Sequence, residues 1–374
     1  MIINNYIDNH TDSQKSYKAI FSYIISKGKT TRREIQKFTN YSWSSVSSVV
    51  SVLINRKHVI ETDSVRNGVG RGTSYIIPNG DMFVSIGVDI NSVGFSLSVI
   101  GIDGSKKYFT TYNFSDSSKE GVLNLIYKCI EDGIAFIGDK YQLVSIGLSC
   151  QGSVDLTHST LNKFSFCDEI NNINLKEIIE NKYNVHTYVE HDTNCLLEEY
   201  TYNYGIENGS ICVARVVSGI GFAICVNGVP LEKFGGFDFG HMVVQPIEGK
   251  ECSCGEMGCL EAYSSTVGIA RQAKVDSFET IENNRENYRE VLDEAGYYLG
   301  VTFANIMKIF NLDEVVVTGN VIGNDQKLLD KITATYNHFN KNNPNKVTYI
   351  DDLSPSFGAA RLSFKDKVDS GKGL

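Results

Sequence analysis

The chain has 374 residues, of which 42% are hydrophobic and 21% are charged, as is typical of a globular protein with two or three domains. It contains no apolar run near the ~18 residues that a membrane-spanning helix needs. Its first residues lack the basic and apolar regions of a secretory signal. Membrane-embedded and secreted proteins are therefore not the expected classes.

Charge is unevenly distributed along the chain, whose formal net charge is −9. Residues 1–80 carry eleven Lys/Arg and five Asp/Glu, a net of +6, which leaves −15 for the remainder. A basic head on an acidic body predicts that only the head binds nucleic acid. A basic surface without a partner is the alternative.

Nine cysteines are present, three of them clustered near residue 255 and six scattered singly. This pattern favours buried thiols in a reducing cytoplasm over a disulfide framework. We therefore expect a cytoplasmic protein.

The head is predicted to begin with helices. Residues 13–26 place apolar side chains at the spacing of an amphipathic helix. Thr31 to Glu34 matches a capping box that opens a short second helix, and Ser42 is a suitable cap for a third helix from Trp43 to Arg56. A helix, a short helix, a tight turn and a longer helix follow in the order of a helix-turn-helix.

The exposed face of the third helix is rich in serine. Small side chains let a helix sit deep in a major groove, and hydroxyls bond phosphates or base edges. A solvated face with no partner remains the alternative. The candidate DNA-binding residues of the head are Arg32, Arg33, Tyr41, Trp43, Ser44, Ser45, Ser47, Ser48 and Arg71.

A β wing is predicted after these helices. Two short strands, 59–62 and 74–77, flank a glycine-rich loop that carries Arg66 and Arg71. Arg71 between two glycines suits a narrow minor groove, whereas an ordinary hairpin tip is the alternative. Residues 78–80 resemble a linker, so residues 1–80 form the predicted winged helix-turn-helix domain and residues 81–374 the body.

The body alternates strands and helices in two halves, which predicts an α/β protein with two lobes and a cleft. The lobes are roughly residues 81–204, with the C-terminal helix, and residues 205–345. The predicted strands are 83–90, 95–100, 143–148, 185–189, 210–217, 222–226 and 314–318. The predicted helices are 121–137, 175–182, 194–202 and 288–310.

A cluster of one histidine and three cysteines follows the second hairpin. Three thiolates and an imidazole are the donors that a tetrahedral zinc ion prefers, and a closed four-ligand site is structural. Gly255 and Gly258 allow the tight turns that aim the sulfurs at one point. Buried thiols near an unrelated histidine are the alternative. The predicted zinc ligands are His241, Cys252, Cys254 and Cys259.

The runs GGFDFGHMVVQP and CSCGEMGCLEAYSS around this cluster resemble the signature of the ROK family of repressors, open reading frames and sugar kinases. Similar motifs recur from about Gly87 to Arg361. The resemblance implies an actin-like, sugar-kinase-like body, and the head resembles those of the xylose-repressor and N-acetylglucosamine-repressor type. It implies a sugar-responsive repressor that binds operator DNA as a homodimer or dimer of dimers.

The phosphate-binding loops of ROK kinases are altered here. Kinases carry D-x-G-G-T in the first hairpin, where this chain has Asp89-Ile90-Asn91-Ser92-Val93. The glycine loop at 217–223 and the turn at 318–320 also depart from the kinase pattern. Because phosphoryl transfer depends on positioning, we expect no kinase activity. An active kinase with a DNA-binding head is the alternative.

The resemblance also implies a site for a sugar or sugar-phosphate effector. Asp192 matches the catalytic base of the kinases, although capping the next helix is its alternative role. His191 replaces the family's asparagine, and Asp238 replaces its glutamate. The predicted sugar-binding residues are Gly152, His191, Asp192, Asp238, His241 and Glu261.

Overall fold

The structure, a computed structural model, describes residues 12–62, 74–155, 160–164, 167–231, 238–344 and 346–370. The chain divides into two compact units. The first unit comprises residues 1–191 and 354–374, and the second comprises residues 192–353. Within the described ranges, no helix combines the length and apolar character needed to cross a membrane.

The helices of the head begin at the predicted caps. Thr31 and Glu34 form the predicted capping box, and the Ser42 hydroxyl accepts the amide of Ser45 at 3.1 Å. The elements are α1 (Asp12–Lys27), α2 (Arg32–Thr39), α3 (Trp43–Asn55), β1 (Val59–Glu61) and β2 (Ile76–Pro78). The predicted wing loop with Arg66 and Arg71 lies at 63–73, outside the described residues.

The first unit also contains a mixed five-stranded sheet in the order β5-β4-β3-β6-β9. Its strands are β3 (Phe83–Ile90), β4 (Gly94–Gly101), β5 (Lys106–Asn113), β6 (Gln142–Cys150) and β9 (His186–His191). A separate hairpin pairs β7 (Gly152–Asp155) with β8 (Thr160–Phe164). The helices are α4 (Lys119–Ile137), α5 (Leu175–Tyr183) and α12 (Pro355–Asp369).

Strand β3 is buried along its whole length, because α4 packs on one side of the sheet and α12 on the other. Paired glycines, Gly87 on β3 and Gly147 on β6, bring α12 close. A Cβ at Gly87 would lie 1.8 Å from the Ser356 carbonyl oxygen, and one at Gly147 would lie 2.0 Å from that of Ala359. Helix α12 is thereby held against the centre of the sheet.

The second unit contains another mixed five-stranded sheet, in the order β12-β11-β10-β13-β14. Its strands are β10 (Ile211–Val216), β11 (Ile220–Val226), β12 (Val229–Pro230), β13 (Glu314–Thr318) and β14 (Val347–Tyr349). Its helices are α6 (Asp192–Asn203), α7 (Leu260–Ser264), α8 (Thr266–Ala273), α9 (Phe278–Glu282), α10 (Arg289–Phe310) and α11 (Gln326–Phe339).

Helices cover both faces of this sheet. Leu299 and Phe303 of α10 pack with alternate residues of β10 and β13, whereas Leu196 and Tyr200 of α6 pack with the intervening ones. Two mixed sheets flanked by helices confirm the predicted α/β class. Strands β5, β7, β8, β12 and β14 and helices α7, α8, α9 and α11 were not predicted.

Candidate metal centre and ligand site

Short main-chain bridges shape the loop around the cysteines. Val243 pairs with Cys259, Glu251 pairs with Met257, and the amide of Val244 donates to the carbonyl of Gly258 at 2.8 Å. Gly258 has φ +81°, and a Cβ there would lie 2.0 Å from the Gln245 carbonyl oxygen. Only glycine meets both demands, as its position in the predicted motif suggested.

The predicted metal ligands converge. The candidate donor atoms of His241, Cys252, Cys254 and Cys259 all lie within 4.8 Å of one another. The Sγ atoms of Cys254 and Cys259 are 3.8 Å apart, and His241 Nδ1 lies 3.4 Å from Cys252 Sγ. A tetrahedral ion at about 2.3 Å from sulfur and about 2.0 Å from nitrogen separates such donors by about 3.8 Å and about 3.5 Å. The residues therefore fit a tetrahedral metal ion.

The surroundings of the cluster affect the charge state of its thiols. Burial, together with the neighbouring thiols of Cys254 and Cys252, raises the pKa of the Cys259 thiol to about 12. A bound cation favours the thiolate and opposes this shift. On the far side of the ring, His241 Nε2 lies 4.0 Å from a carboxylate oxygen of Asp238. This distance exceeds that of a hydrogen bond, so the Asp238 carboxylate lies near the imidazole ring without orienting it.

Glu261 lies in the first turn of α7, two residues after Cys259, and its carboxylate is fixed from two sides. One oxygen accepts the amide of Ile220 at 3.1 Å, and the other accepts the Ser253 hydroxyl at 2.9 Å. A Cβ at Gly219 would lie 2.8 Å from an oxygen of the same carboxylate, so a side chain at this position would displace that carboxylate. The cysteine loop thus holds a carboxylate against the turn at 218–220.

Asp192 is buried and forms an ion pair that the sequence analysis missed. Arg215, on β10, donates to one of its carboxylate oxygens at 2.6 Å. The other oxygen accepts the amide of Thr193 at 2.8 Å, because α6 begins at Asp192 and not at the predicted Asn194. A charged residue in the apolar run ICVARV was the available signal.

The remaining predicted sugar-binding residues belong to the first unit. His191 ends β9, and Gly152 begins β7. The buried Glu190 accepts the His191 amide at 2.8 Å and the Tyr188 hydroxyl at 2.8 Å. Asp192, Asp238, His241 and Glu261 all belong to the second unit.

The loop at the kinase phosphate position is closed by side chains. The side-chain oxygen of Asn91 accepts the amides of Val93 at 3.0 Å and Gly94 at 3.2 Å. Gln151 accepts the amide of Ser92 at 3.3 Å, and the Asn91 amide group donates to buried Asp89 at 2.9 Å. The backbone amides of Ser92, Val93 and Gly94 are thereby paired with side chains of the protein.

The turn after β13 is also held by a side chain that the sequence analysis did not single out. Arg285 donates to the carbonyls of Val321 at 2.7 Å and Asn320 at 3.0 Å, and it pairs with Asp325. Burial acts to raise the pKa of Asp325, but hydrogen bonds from Arg289, Leu328 and Arg285 outweigh it and lower that pKa.

The predicted DNA-binding residues of the described head differ in exposure. Trp43 is 49% exposed, Arg33, Ser44 and Ser48 are exposed, and Tyr41, Ser45 and Ser47 are half-buried. Arg32 instead forms a two-bond ion pair with Glu61. Phe38, 66% exposed on α2, adds an apolar side chain that the sequence analysis did not select.

Comparisons with known proteins identify the family that the chain resembles. Residues 85–364 match the profile of the ROK family. The chain is 24% identical to the xylose repressor of Bacillus subtilis (strain 168) over 329 residues, 85% of each chain. It is also 24% identical to the DNA-binding transcriptional dual regulator NagC of Escherichia coli (strain K12) over 350 residues, 87% of this chain and 85% of that one.

Solved structures show the same fold. A ROK family transcriptional regulator, described as a homologue of E. coli MLC, has a TM-score of 0.75 at 18% identity and covers 96% of this chain and 99% of its own. A ROK family glucokinase from Streptomyces griseus, solved with glucose and AMPPNP, has a TM-score of 0.63 at 20% identity. It covers 75% of this chain and 98% of its own.

Proposed function

The chain belongs to the ROK family, as a transcriptional regulator, and from that premise we propose that it represses carbohydrate-utilisation genes in response to a sugar or sugar phosphate. The main support for this proposal is the start of α3 in the head. Ser42 caps this helix, and Trp43 and Ser44 of its first turn are exposed to solvent. That is the part of a helix-turn-helix that enters the major groove.

We propose a homodimer, or a dimer of dimers, because helix-turn-helix proteins bind two-fold symmetric operators as symmetric pairs. Paired recognition helices read half-sites about 34 Å apart, and an effector that binds two states differently shifts the spacing between them. Operator DNA as a partner is supported by the repressors among the relatives. Binding to operator DNA also implies that the protein is located in the cytoplasm.

The metal in this proposal is zinc, held by His241, Cys252, Cys254 and Cys259. When bound, it supplies the positive charge that stabilises the three thiolates. The site is structural, because four protein ligands leave no open position. Its role is to fix the loop whose Ser253 holds the Glu261 carboxylate.

The effector site is proposed to use Gly152, His191, Asp192, Asp238, His241 and Glu261. Carboxylates that are already oriented, as Glu261 and Asp192 are, form charge-assisted hydrogen bonds to hydroxyl groups without further ordering. Arg215 keeps the charge of Asp192 compensated at one oxygen.

We propose that the body has no kinase activity. Asn91 and Gln151 occupy the amides of the phosphate loop, and Arg215 holds the residue that matches the kinase base. An active sugar kinase with a DNA-binding head is the second candidate, and the fold shared with the S. griseus glucokinase favours it.

The test begins with selection of a DNA duplex from a random library by the full-length protein. Its affinity for the chain is then measured with and without each member of a panel of sugars and sugar phosphates. We expect one selected sequence, whose binding changes with one class of sugar. Glu261→Gln should weaken that response about tenfold, whereas Glu256→Gln, at an exposed position of the same loop, should leave it unchanged.

Other outcomes separate the alternatives. Sugar-dependent release of ADP from ATP would support the kinase. Binding of the duplex that no sugar changes would indicate a DNA-binding protein without an effector. Failure to select any sequence would contradict the regulator itself.

A further inference from the structure

Polar contacts tie the first turn of α2 to both strands of the head. The guanidinium of Arg32 grips the carboxylate of Glu61, the last residue of β1, with Nη1 on one oxygen and Nη2 on the other at 2.9 Å. The Ser74 hydroxyl, two residues before β2, donates to the same carboxylate at 2.6 Å.

A main-chain bridge reinforces this clamp, defined as Arg32, Glu61 and Ser74. Thr30 exchanges two hydrogen bonds with Ile76 of β2, at 3.0 Å and 2.7 Å. Beyond the ends of β1 and β2, the Thr62 amide donates to the Tyr75 carbonyl at 2.8 Å, and the Tyr75 amide donates to the Thr62 hydroxyl at 3.0 Å. The clamp therefore lies at the end of the strand pair that is next to Thr62 and Tyr75.

The clamp changes the electrostatic role of Arg32. Its side chain is only 21% exposed, and hydrogen bonding to Arg32 is the largest cause of the lowered pKa of Glu61. A DNA phosphate placed at this guanidinium would lie beside an ionised carboxylate and be repelled by it. The next residue, Arg33, is exposed at the same helix terminus.

We propose that Arg32 is a positioning residue of the DNA-binding head, which acts through Glu61 to hold β1 and Ser74 against α2, and that Arg33 supplies the phosphate contact at this terminus. The inference rests on the proposed DNA binding of the head. A bidentate fork is well suited to the role, because it fixes direction as well as distance.

The first experiment measures the salt dependence of binding of the full-length protein to a mixed-sequence DNA duplex. Each phosphate that a protein neutralises adds about 0.9 to the slope of log K against log salt. Arg33→Gln should lower the slope by about that amount. Arg32→Met should weaken binding about tenfold with the slope unchanged.

The double variant Arg32→Glu with Glu61→Arg keeps an ion pair between positions 32 and 61 with its charges exchanged. It should restore wild-type affinity, whereas either reversal alone should not. A slope that falls in Arg32→Met, with no rescue by the pair, would overturn the proposal.

A second measurement keeps the inference testable if the protein binds no DNA. Hydrogen exchange at the amides of Thr62 and Tyr75 should be faster in Arg32→Met and return to the wild-type rate in the double variant. Unchanged exchange in Arg32→Met would refute the clamp by itself. Absence of DNA binding with altered exchange would contradict only the proposed function.

Discussion

At the scale of single residues, the four candidate metal ligands differ in burial. Cys252 and Cys259 are buried, while Cys254 is exposed. Cys259 also leads directly into α7 and Glu261. Loss of this buried ligand should therefore disturb both the metal and the carboxylate.

We expect the wild-type protein to hold about one zinc ion per chain and Cys259→Ser to hold much less. The midpoint of thermal unfolding should fall as well, because binding energy of a structural metal is folding energy. Metal content by atomic emission and unfolding by calorimetry measure the two effects.

The matched control is Cys129→Ala, which removes a thiol that is equally buried but lies on α4, outside the cluster. It should keep its zinc. Wild-type protein purified without zinc, or full metal content in Cys259→Ser, would contradict the assignment.

Residue spacing predicted that the four candidate metal ligands cluster, but it did not predict the partners of the other candidate site residues. His241 and the cysteines lie within one short stretch, so local spacing is sufficient to bring them together. Arg215 and Asp192 are 23 residues apart and meet only because α6 packs on β10. Pairs of this kind depend on tertiary packing, which a sequence pattern does not encode locally.

The phosphate loop shows a related limit. Asn91 and Ser92 stand where the kinases carry glycine, and this difference led to the prediction that the chain has no kinase activity, which stays a prediction. The structure adds that the Asn91 side chain accepts two amides of the same loop. Asparagine side chains commonly bond to backbone amides in turns. The sequence could therefore predict that Asn91 pairs with loop amides, but it could not predict which ones.

At the scale of elements, long periodic helices and buried strands were predicted well. The strands at 83–90 and 314–318 have the predicted limits, and α4 and α10 differ from the prediction by one or two residues at their starts. Strand β5 was missed because it lies at a sheet edge and its sequence, KKYFTTYN, pairs like residues and lacks the regular alternation of apolar and polar side chains. Short helices such as α7 carry too few residues for a periodic signal.

The cap of the recognition helix gives a prediction at this scale. Ser42→Ala removes the acceptor of the Ser45 amide and should lower the free energy of unfolding of the head by about 1 kcal/mol. Urea unfolding followed by fluorescence of Trp43, the single tryptophan of the chain and the first residue of α3, measures it.

Ser48→Ala is the control, since Ser48 is an exposed serine on the same helix. It should leave stability unchanged or slightly higher, because alanine is the better helix former. Equal destabilisation by both substitutions would show that the cap is not the cause.

At the scale of the whole molecule, the head and the rest of the first unit share one hydrophobic core. Ile24 and Ile25 of α1 pack in a cluster with Phe83 of β3 and with Phe364 and Val368 of α12. The first and last described helices are therefore in contact, so the head is not an independent module on a flexible linker. The predicted boundary at residue 80, between a DNA-binding domain and the body, stays a prediction about which residues bind DNA.

A shared core predicts shared unfolding. Phe364→Ala, a change near the C-terminus, should shift the unfolding transition reported by Trp43, although the two residues are far apart in sequence. Truncation of a buried phenylalanine typically costs about 3–5 kcal/mol, and Phe364 is 4% exposed. Urea unfolding is again followed by Trp43 fluorescence, with the same sample monitored by circular dichroism.

Phe109→Ala tests whether the effect depends on the core, because Phe109 lies on β5 of the same unit but is 54% exposed. It should move the Trp43 transition little. If Phe364→Ala left the Trp43 transition in place while the circular dichroism transition moved, the head would unfold independently. In that case the hydrophobic cluster around Phe364 would not couple strongly to the head, because the two would not unfold together. The proposed sugar-induced change in the body would then have to reach the head through contacts other than those of α12.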